Sequence, residues 1–314
     1  MTVKAPDEDP ALILLRQVIA QKPKNDPEQH QYLEYDNYSK IQIDLNNMSE
    51  KFKDRKIFKK FDFVMKYIDT LEGMAFLPAL FSETKSEVYY RKKPQSTKEM
   101  VVANQVSGLE NESISKFAGD LYFSVNLYKN LLSIFNKEFI SPIANNGENF
   151  DKYYLMDSAT IEGQWCQQIR FIPKRVGDLT FRGDMWIHDT TFAVKQVKGR
   201  ISAEANINFV QNLQVEQYFT QVDSNWVLKK EKLFADFEVT EELFGVFGRR
   251  TSIRSNIVVN KERPNDFYAR NQVELDTNAM KKDSSYWEKE RPEPLSTRMG
   301  GLQNRGFFKQ QCDV

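Results

Sequence analysis

Glu83 and Glu87 stand four residues apart. Two carboxylates converging in a cleft, roughly 5–9 Å apart, are what glycoside hydrolysis requires, one as acid and one as base or nucleophile. Pro78 lies upstream, and solvated loop charges are the better reading of the pair. His188 is followed by Asp189, and both fall between two expected strands, where a turn is expected and turn chemistry alone explains the Asp. Cys166, next to Trp165 in an expected strand, is a nucleophile only if a base such as His188 draws off its proton. Hairpin registry would have to bring them together, and no third orienting group is apparent, so a structural strand cysteine is the expectation. His30 is the remaining histidine. Two histidines in separate contexts, without an H-E-x-x-H motif, leave no zinc set. Nucleophile-elbow, P-loop and dinucleotide-loop patterns are absent, and Phe244–Gly248 has two glycines but no third. No catalytic residue, metal or cofactor is therefore expected.

Composition narrows the classes further. The 314 residues carry 44 Lys+Arg against 44 Asp+Glu. Zero net charge argues against a nucleic-acid backbone binder, which needs excess cations to release counterions. A hydrophobic content of 40% with 13% aromatics is enough for a sizeable core. Cys166 and Cys312 lie far apart and make neither a disulfide framework nor a Cys-rich zinc site. No apolar run reaches the ~18 residues of a spanning helix, and the opening MTVKAPDEDP has no signal-peptide pattern. The expectation is a cytoplasmic protein, if the chain is complete, or an internal piece of a longer one.

The elements that must position these residues are mostly strands. A helix is predicted from Pro10 to Gln21, capped by Asp9, with Ala11, Leu12, Leu15, Val18 and Ile19 on one face and Pro23 ending it. A polar linker, Lys22 to Gln31, follows. Ile41, Ile43 and Leu45 alternate as a strand. A second helix is predicted from about Lys53 to Thr70. Glu87–Arg91 and Glu99–Val106 read as paired strands closed by Gly108. Asn126 is predicted to cap a helix carrying Leu127, Leu131, Ile134 and Phe135. Thereafter strands follow at short intervals: Lys152–Asp157, Gly163–Ile172, Leu179–His188, Thr191–Gly199, Leu213–Val222, Trp226–Val239 and Thr251–Asn260. Such serial connections favour an antiparallel meander. Glu241–Gly248 reads as a hairpin tip or an apolar loop, and the last 40 residues as charged and irregular.

Aromatic density on those strands is the feature with functional promise. Trp165, Phe171, Phe181, Trp186, Phe192, Trp226, Phe234 and Phe237, with Phe219, all fall on predicted strands. A plain sheet core explains them. The sharper reading is an apolar concave face that holds a lipid, an acyl chain or a partner's apolar segment.

Several spaced motifs resemble a large family of uncharacterised Gram-negative outer-membrane proteins. They are Ala11–Ile19 followed by Asn25-Asp-Pro27 and Tyr35-x-x-Tyr38-Ser-Lys40, Leu77-Pro78 followed by Ser82-Glu83 and Ser86–Tyr90, Ser141-Pro-Ile143, and Phe171-Ile-Pro173. Phe181-x-Gly183-x-x-Trp186-Ile187-x-Asp189-x-Thr191-Phe192 and Trp287-x-x-x-Arg291-Pro292-x-Pro294-Leu295 complete the set. The resemblance covers roughly residues 10–297. It implies a signal peptide, a carboxypeptidase-regulatory-like sandwich, a central domain of unknown function, which this chain would be, and a C-terminal transmembrane barrel. It implies no peptidase activity. The hairpin Phe181–Val194 is also similar to periplasmic lipoprotein-carrier folds. Beyond Arg298 the resemblance stops, so a truncated or frameshifted reading is expected there, leaving Cys312 without meaning.

The resulting expectation is an α+β fold: a large curved, mainly antiparallel open sheet, half-barrel-like, with covering helices. Residues 1–28 form a helix and linker, 29–275 a β-rich domain with helical insertions, and 276–314 an irregular tail. The expected function is a non-enzymatic periplasmic binding or scaffolding module of an outer-membrane protein. Its partners would be an apolar ligand or other envelope proteins, with attachment only through a missing barrel. The competing readings are an envelope-polymer hydrolase using Glu83, Glu87 or Asp189, and a structural spacer.

Overall fold

A computed structural model of the chain describes residues 8–46, 69–71, 74–108, 118–119, 121–201, 205, 207, 210–240, 244–269 and 272–295. In chain order the elements begin with helix α1 (Pro10–Asn25) and strands β1 (Tyr32–Asn46), β2 (Asp69–Leu71), β3 (Met74–Arg91) and β4 (Ser96–Gly108). A small hairpin follows, β5 (Leu131–Ile134) and β6 (Lys137–Ile140). Then come β7 (Asp151–Ile161), β8 (Gln164–Pro173), β9 (Phe181–His188), β10 (Val194–Ile201), β11 (Val210–Val222), β12 (Asn225–Thr240) and β13 (Phe244–Val259). Short elements finish the described chain: helix α2 (Asn265–Ala269), β14 (Val273–Leu275) and helix α3 (Ser284–Glu290). The main sheet is open and runs β14-β4-β3-β1-β13-β12-β11-β10-β9-β8-β7, with β2 beside β3. Its parallel pair is β14 with β4; the other pairings recorded are antiparallel, as serial short connections require.

The chain divides into two compact units: Met1–His30 with Phe123–Asn208 and Asn212–Lys232, and Gln31–Tyr122 with Phe209–Gln211 and Leu233–Val314. In the first unit, Asp9 caps α1 by accepting from Ala11 N at 2.9 Å, and Pro10 takes the first helical position. The helix runs on to Asn25, past the predicted stop at Pro23. Tertiary bonds hold that last turn. Lys22 Nζ donates to Asn130 Oδ1 and to the Ile143 carbonyl, both at 2.9 Å, and Asn25 Nδ2 donates to the Thr191 carbonyl at 2.9 Å. Burial holds the Lys22 ammonium below its ordinary pKa.

The helix predicted after Asn126 does not form. Asn126 instead accepts from Tyr128 N at 3.0 Å in a turn, and Leu131 begins β5. Leu132, Ile134 and Phe139 are buried in alternation, a period of 2 rather than 3.6. Phe135 and Asn136, at φ 49° and 59°, make a two-residue hairpin turn that no helix can contain.

In the second unit, β1 lies between β3 and β13, and β3 forms a hairpin with β4. The predicted strands were too short here: Ile41–Leu45 is the end of a 15-residue strand, and Phe244–Gly248 is strand rather than loop. Both gain partners across the sheet, Ile43 pairing with Gly248 and with Leu80. β1 buries opposite faces at its two ends. Tyr38 is buried with Ala103 and Trp287, whereas Ile41, Ile43 and Leu45, of the other parity, are buried at the far end. Leu121 covers that far end closely; a Cβ on Gly248 would come within 2.7 Å of its Cδ1.

After Val259 come α2 and β14, and the last 40 residues, expected to be irregular, hold α3. Asp283 caps α3 by accepting from Tyr286 N, and the fully buried Trp287 fastens it over Tyr38. One long predicted helix, Lys53–Thr70, lies outside the described residues, except that Asp69 and Thr70 belong to β2.

Candidate functional site

An apolar cavity lies inside the first unit. Its floor is a row of positions abreast on β8 to β11: Phe171 opposite Gly183, Gly183 opposite Gly199, and Gly199 opposite Val215. Residues directly opposite share a face, and Gly199, without a side chain, lines the cavity between Phe171 and Val215, whereas the position a Gly183 side chain would take is filled by the Lys198 carbonyl. Phe181 and Val197 border the cavity, and Val125, Leu127, Leu132 and Pro142 roof it. The cavity volume is about 20 Å³, room for about one water.

One polar side chain borders the cavity, Gln217. Its amide nitrogen donates to the Val125 carbonyl and, at 2.8 Å, to Glu231 Oε1. Both are acceptors, which fixes the amide orientation. The roof is irregular from 123 to 130 and from 141 to 146. It is tied down by individual bonds rather than by a ladder: Ser141 Oγ to the Leu127 carbonyl at 2.6 Å, Val194 N to Tyr128 Oη at 3.1 Å, and Ile140 N to the Leu179 carbonyl at 2.8 Å.

The aromatic residues singled out by sequence are dispersed. Phe171 and Phe181 line the cavity. Trp226 is buried elsewhere in the same unit, its ring centroid 5.4 Å from that of His188. Trp165 is 49% exposed, although Ile169 and Phe171 of its strand are fully buried. Trp186 and Phe192 are half-buried, Phe192 in the β9–β10 turn at φ 54°. Phe234 and Phe237 belong to the second unit, Phe234 packing against Phe247 at 5.7 Å. Sequence reasoning missed the roof residues and the floor glycine, Gly199. Glycine inside a strand was the available signal, since it marks a gap or a close approach.

The candidate chemistry resolves into structural roles. Glu83 is completely buried in the second unit. Its oxygens accept from Tyr38 Oη, Gln105 Nε2 and both arms of the Arg291 guanidinium, each arm at 2.7 Å. Burial and the Glu83 charge push the Tyr38 phenol well up. Glu87, on the same strand, accepts from Tyr89 Oη at 2.7 Å. Glu83 is thus held in a buried ion pair with Arg291, whereas Glu87 is half-buried. Asp189 lies in the β9–β10 turn of the first unit, and Thr190 Oγ1 donates to it at 2.8 Å. His30 is buried after a short 3-10 turn, Pro27–Gln29.

Registry does set Cys166 opposite His188, but neither group is directed at the other. Trp226 Nε1 donates to Thr191 Oγ1 at 3.0 Å, and that hydroxyl, 2.8 Å from His188 Nδ1, donates onward to it. Thr191 N also donates to Nδ1, so the ring proton sits on Nε2. Burial lowers the His188 pKa and raises that of Cys166, whose thiol donates to the Gln164 carbonyl at 3.6 Å. Native Cys166 is expected to react with a thiol-specific disulfide reagent roughly 100-fold more slowly than in urea; equal rates would contradict its burial.

Among the described residues, no helix is long and apolar enough to cross a membrane, which says nothing of strands. No functionally curated protein matches the chain in sequence. Solved structures give distant likenesses. A DUF1329 family protein from Desulfovibrio piger has TM-score 0.34 and 9% identity, over 83% of this chain and 98% of that one. A LolA superfamily protein from Nitrosomonas europaea has TM-score 0.28 and 7% identity, over 83% and 97%. The Mycobacterium tuberculosis lipoprotein LppX has TM-score 0.25 and 10% identity, over 82% and 99%. At such scores nothing about this chain's activity follows from them. Sequence is more decisive: the profile of a family of unknown function, DUF5686, matches residues 14–256, most of the chain, and the chain belongs to that family.

Proposed function

We propose that this chain is a non-enzymatic binding module of the cell envelope, working on the periplasmic side of the outer membrane. It holds an apolar chain between the floor of the first unit's sheet and the irregular roof. The observation that carries this reading is the cavity over Gly199, Phe171 and Val215 under an apolar roof. A closed space of one water does not hold an acyl chain, so entry lifts the roof. A segment held by a few separate bonds opens at lower cost than a strand in a ladder. Each methylene then buried contributes about 0.8 kcal/mol, so a short tail offsets the opening. Residence in the envelope, and attachment through a barrel, rest on the motif order from Ala11 to Leu295. Cell fractionation of the tagged full-length gene product tests that part.

Titration with a fluorescent fatty acid tests the binding itself. A Gly199→Val variant narrows the cavity, since a Cβ at this position already sits 3.5 Å from the Phe181 ring. It is expected to weaken binding at least about tenfold, equivalent to about 1.4 kcal/mol, while Trp165→Ala leaves it unchanged. Absence of saturable binding, or equal binding by Gly199→Val, would favour the spacer reading instead.

A further inference from the structure

Among the buried oxygens of the first unit that lack a partner of full hydrogen-bond geometry are both carboxylate oxygens of Asp151, Oδ2 of Asp178 and Oγ1 of Thr180. Asp151 is 1% exposed and Thr180 0%. Asp151 opens β7 and pairs with Pro173 at the end of β8. Thr180 stands just before β9, and its N–H donates to the Asp178 carbonyl at 2.8 Å. Two residues along from the Phe171–Gly183 pair, Phe181 stands at the level of Pro173, so Asp151 and Thr180 lie at the same end of the sheet. Burial above all, and then the Asp178 charge, push the Asp151 carboxyl up to about 7, while a hydrogen bond with Thr180 and the Lys174 charge oppose it. The Lys174 ammonium itself donates to the Glu148 carbonyl at 2.6 Å. Unmet carboxylate and hydroxyl lone pairs in a buried site call for a cation or a proton.

We propose that Asp151, Asp178 and Thr180 form the protein part of a calcium site. All the donors are hard oxygens, which suits Ca²⁺ or Mg²⁺ rather than a transition metal. Mg²⁺ keeps several of its waters, and a buried pocket between two strands favours the ion that accepts protein oxygens in variable number. Among the described residues no group of three or more His, Cys, Asp and Glu is placed to hold a metal. Main-chain and water oxygens therefore complete the shell, and the affinity belongs in the weak range, Kd roughly 10⁻⁴–10⁻³ M. Leu179, between two of the ligands, accepts from Ile140 N at the end of β6. The ion would brace the strand connection from which the cavity roof hangs.

The test uses the purified chain, stripped with chelator and titrated with CaCl₂ to about 10 mM, following the melting temperature and Tb³⁺ luminescence. The wild type is expected to gain roughly 5 °C when the ion is well above its Kd, with a clearly smaller gain in MgCl₂. Asp151→Asn and Asp178→Asn are expected to lose the calcium response, and Asp151→Asn to melt above the wild type in chelator. Identical wild-type melting in chelator and in calcium would overturn the proposal, leaving Asp151 as a carboxyl that holds its proton. A calcium response retained by Asp178→Asn, the variant at the less buried position, would overturn it too. Neither readout depends on fatty-acid binding.

Discussion

Arg291→Ala is expected to destabilise the chain by about 3–5 kcal/mol, the cost of leaving a buried carboxylate without its cation. Glu83 has no exposure to water, and both its oxygens are committed to Arg291, Tyr38 and Gln105. Removing the guanidinium takes away two charge-assisted bonds at once and leaves neutral donors facing a full charge. The damage spreads, because Arg291 follows α3 directly. Trp287 on that helix is fully buried against Tyr38 and Ala103, and Glu290 pairs with Lys85. The unfolding midpoint in urea is the direct measurement. The double replacement Glu83→Gln with Arg291→Met should recover much of the loss, since an apolar partner of similar volume beside a neutral amide removes the stranded charge. A midpoint for Arg291→Ala equal to the wild type would show that the clasp contributes nothing, and would return Glu83 to the list of residues free to do chemistry.

Gly183→Ala should be nearly as damaging, at about 3 kcal/mol, the upper end of the usual overpacking range. A Cβ there collides with the Lys198 carbonyl oxygen and stands 2.9 Å from its carbon. Both are backbone atoms of the neighbouring strand, so no rotamer relieves the clash. Gly199 is its partner across the ladder and makes the matched control. A Cβ at Gly199 meets Phe181 at 3.5 Å, an ordinary contact, and alanine in a strand interior loses less backbone entropy than glycine. Gly199→Ala is therefore expected within about 1 kcal/mol of the wild type. Melting temperatures of the two variants side by side decide the matter. Equal effects would mean that β9 and β10 are not packed as closely as Gly183 requires.

The strands were legible wherever one face is wet. Leu233, Ala235 and Phe237 are buried in alternation on β12, and Phe181, Met185 and Ile187 on β9, as their spacing predicts. The His188–Asp189 turn was legible for the same reason, since turn chemistry is local. Errors fell where a partner distant in sequence decides. Leu127 to Phe135 fits a helix by composition, yet hairpin pairing with Lys137–Ile140 wins once Phe135 and Asn136 turn left-handed. The charged stretch holding Trp287 and Arg291 looks solvated until the sheet supplies Tyr38 and Glu83.

The same division separates the candidate sites. Residue types by themselves showed that this chain lacks the standard catalytic and metal-binding motifs, that its aromatics concentrate on strands, and that an antiparallel sheet would hold them. These follow from periodicity and composition, which act over a few residues. Only the tertiary structure decided that Glu83 is a clasp, that Gly199 lines a cavity beneath Leu127 and Leu132, and that Asp151 is buried. Each of those depends on strand register and on how a loop folds back. Register is set by the summed burial of whole faces, a property of the assembled sheet rather than of any local segment.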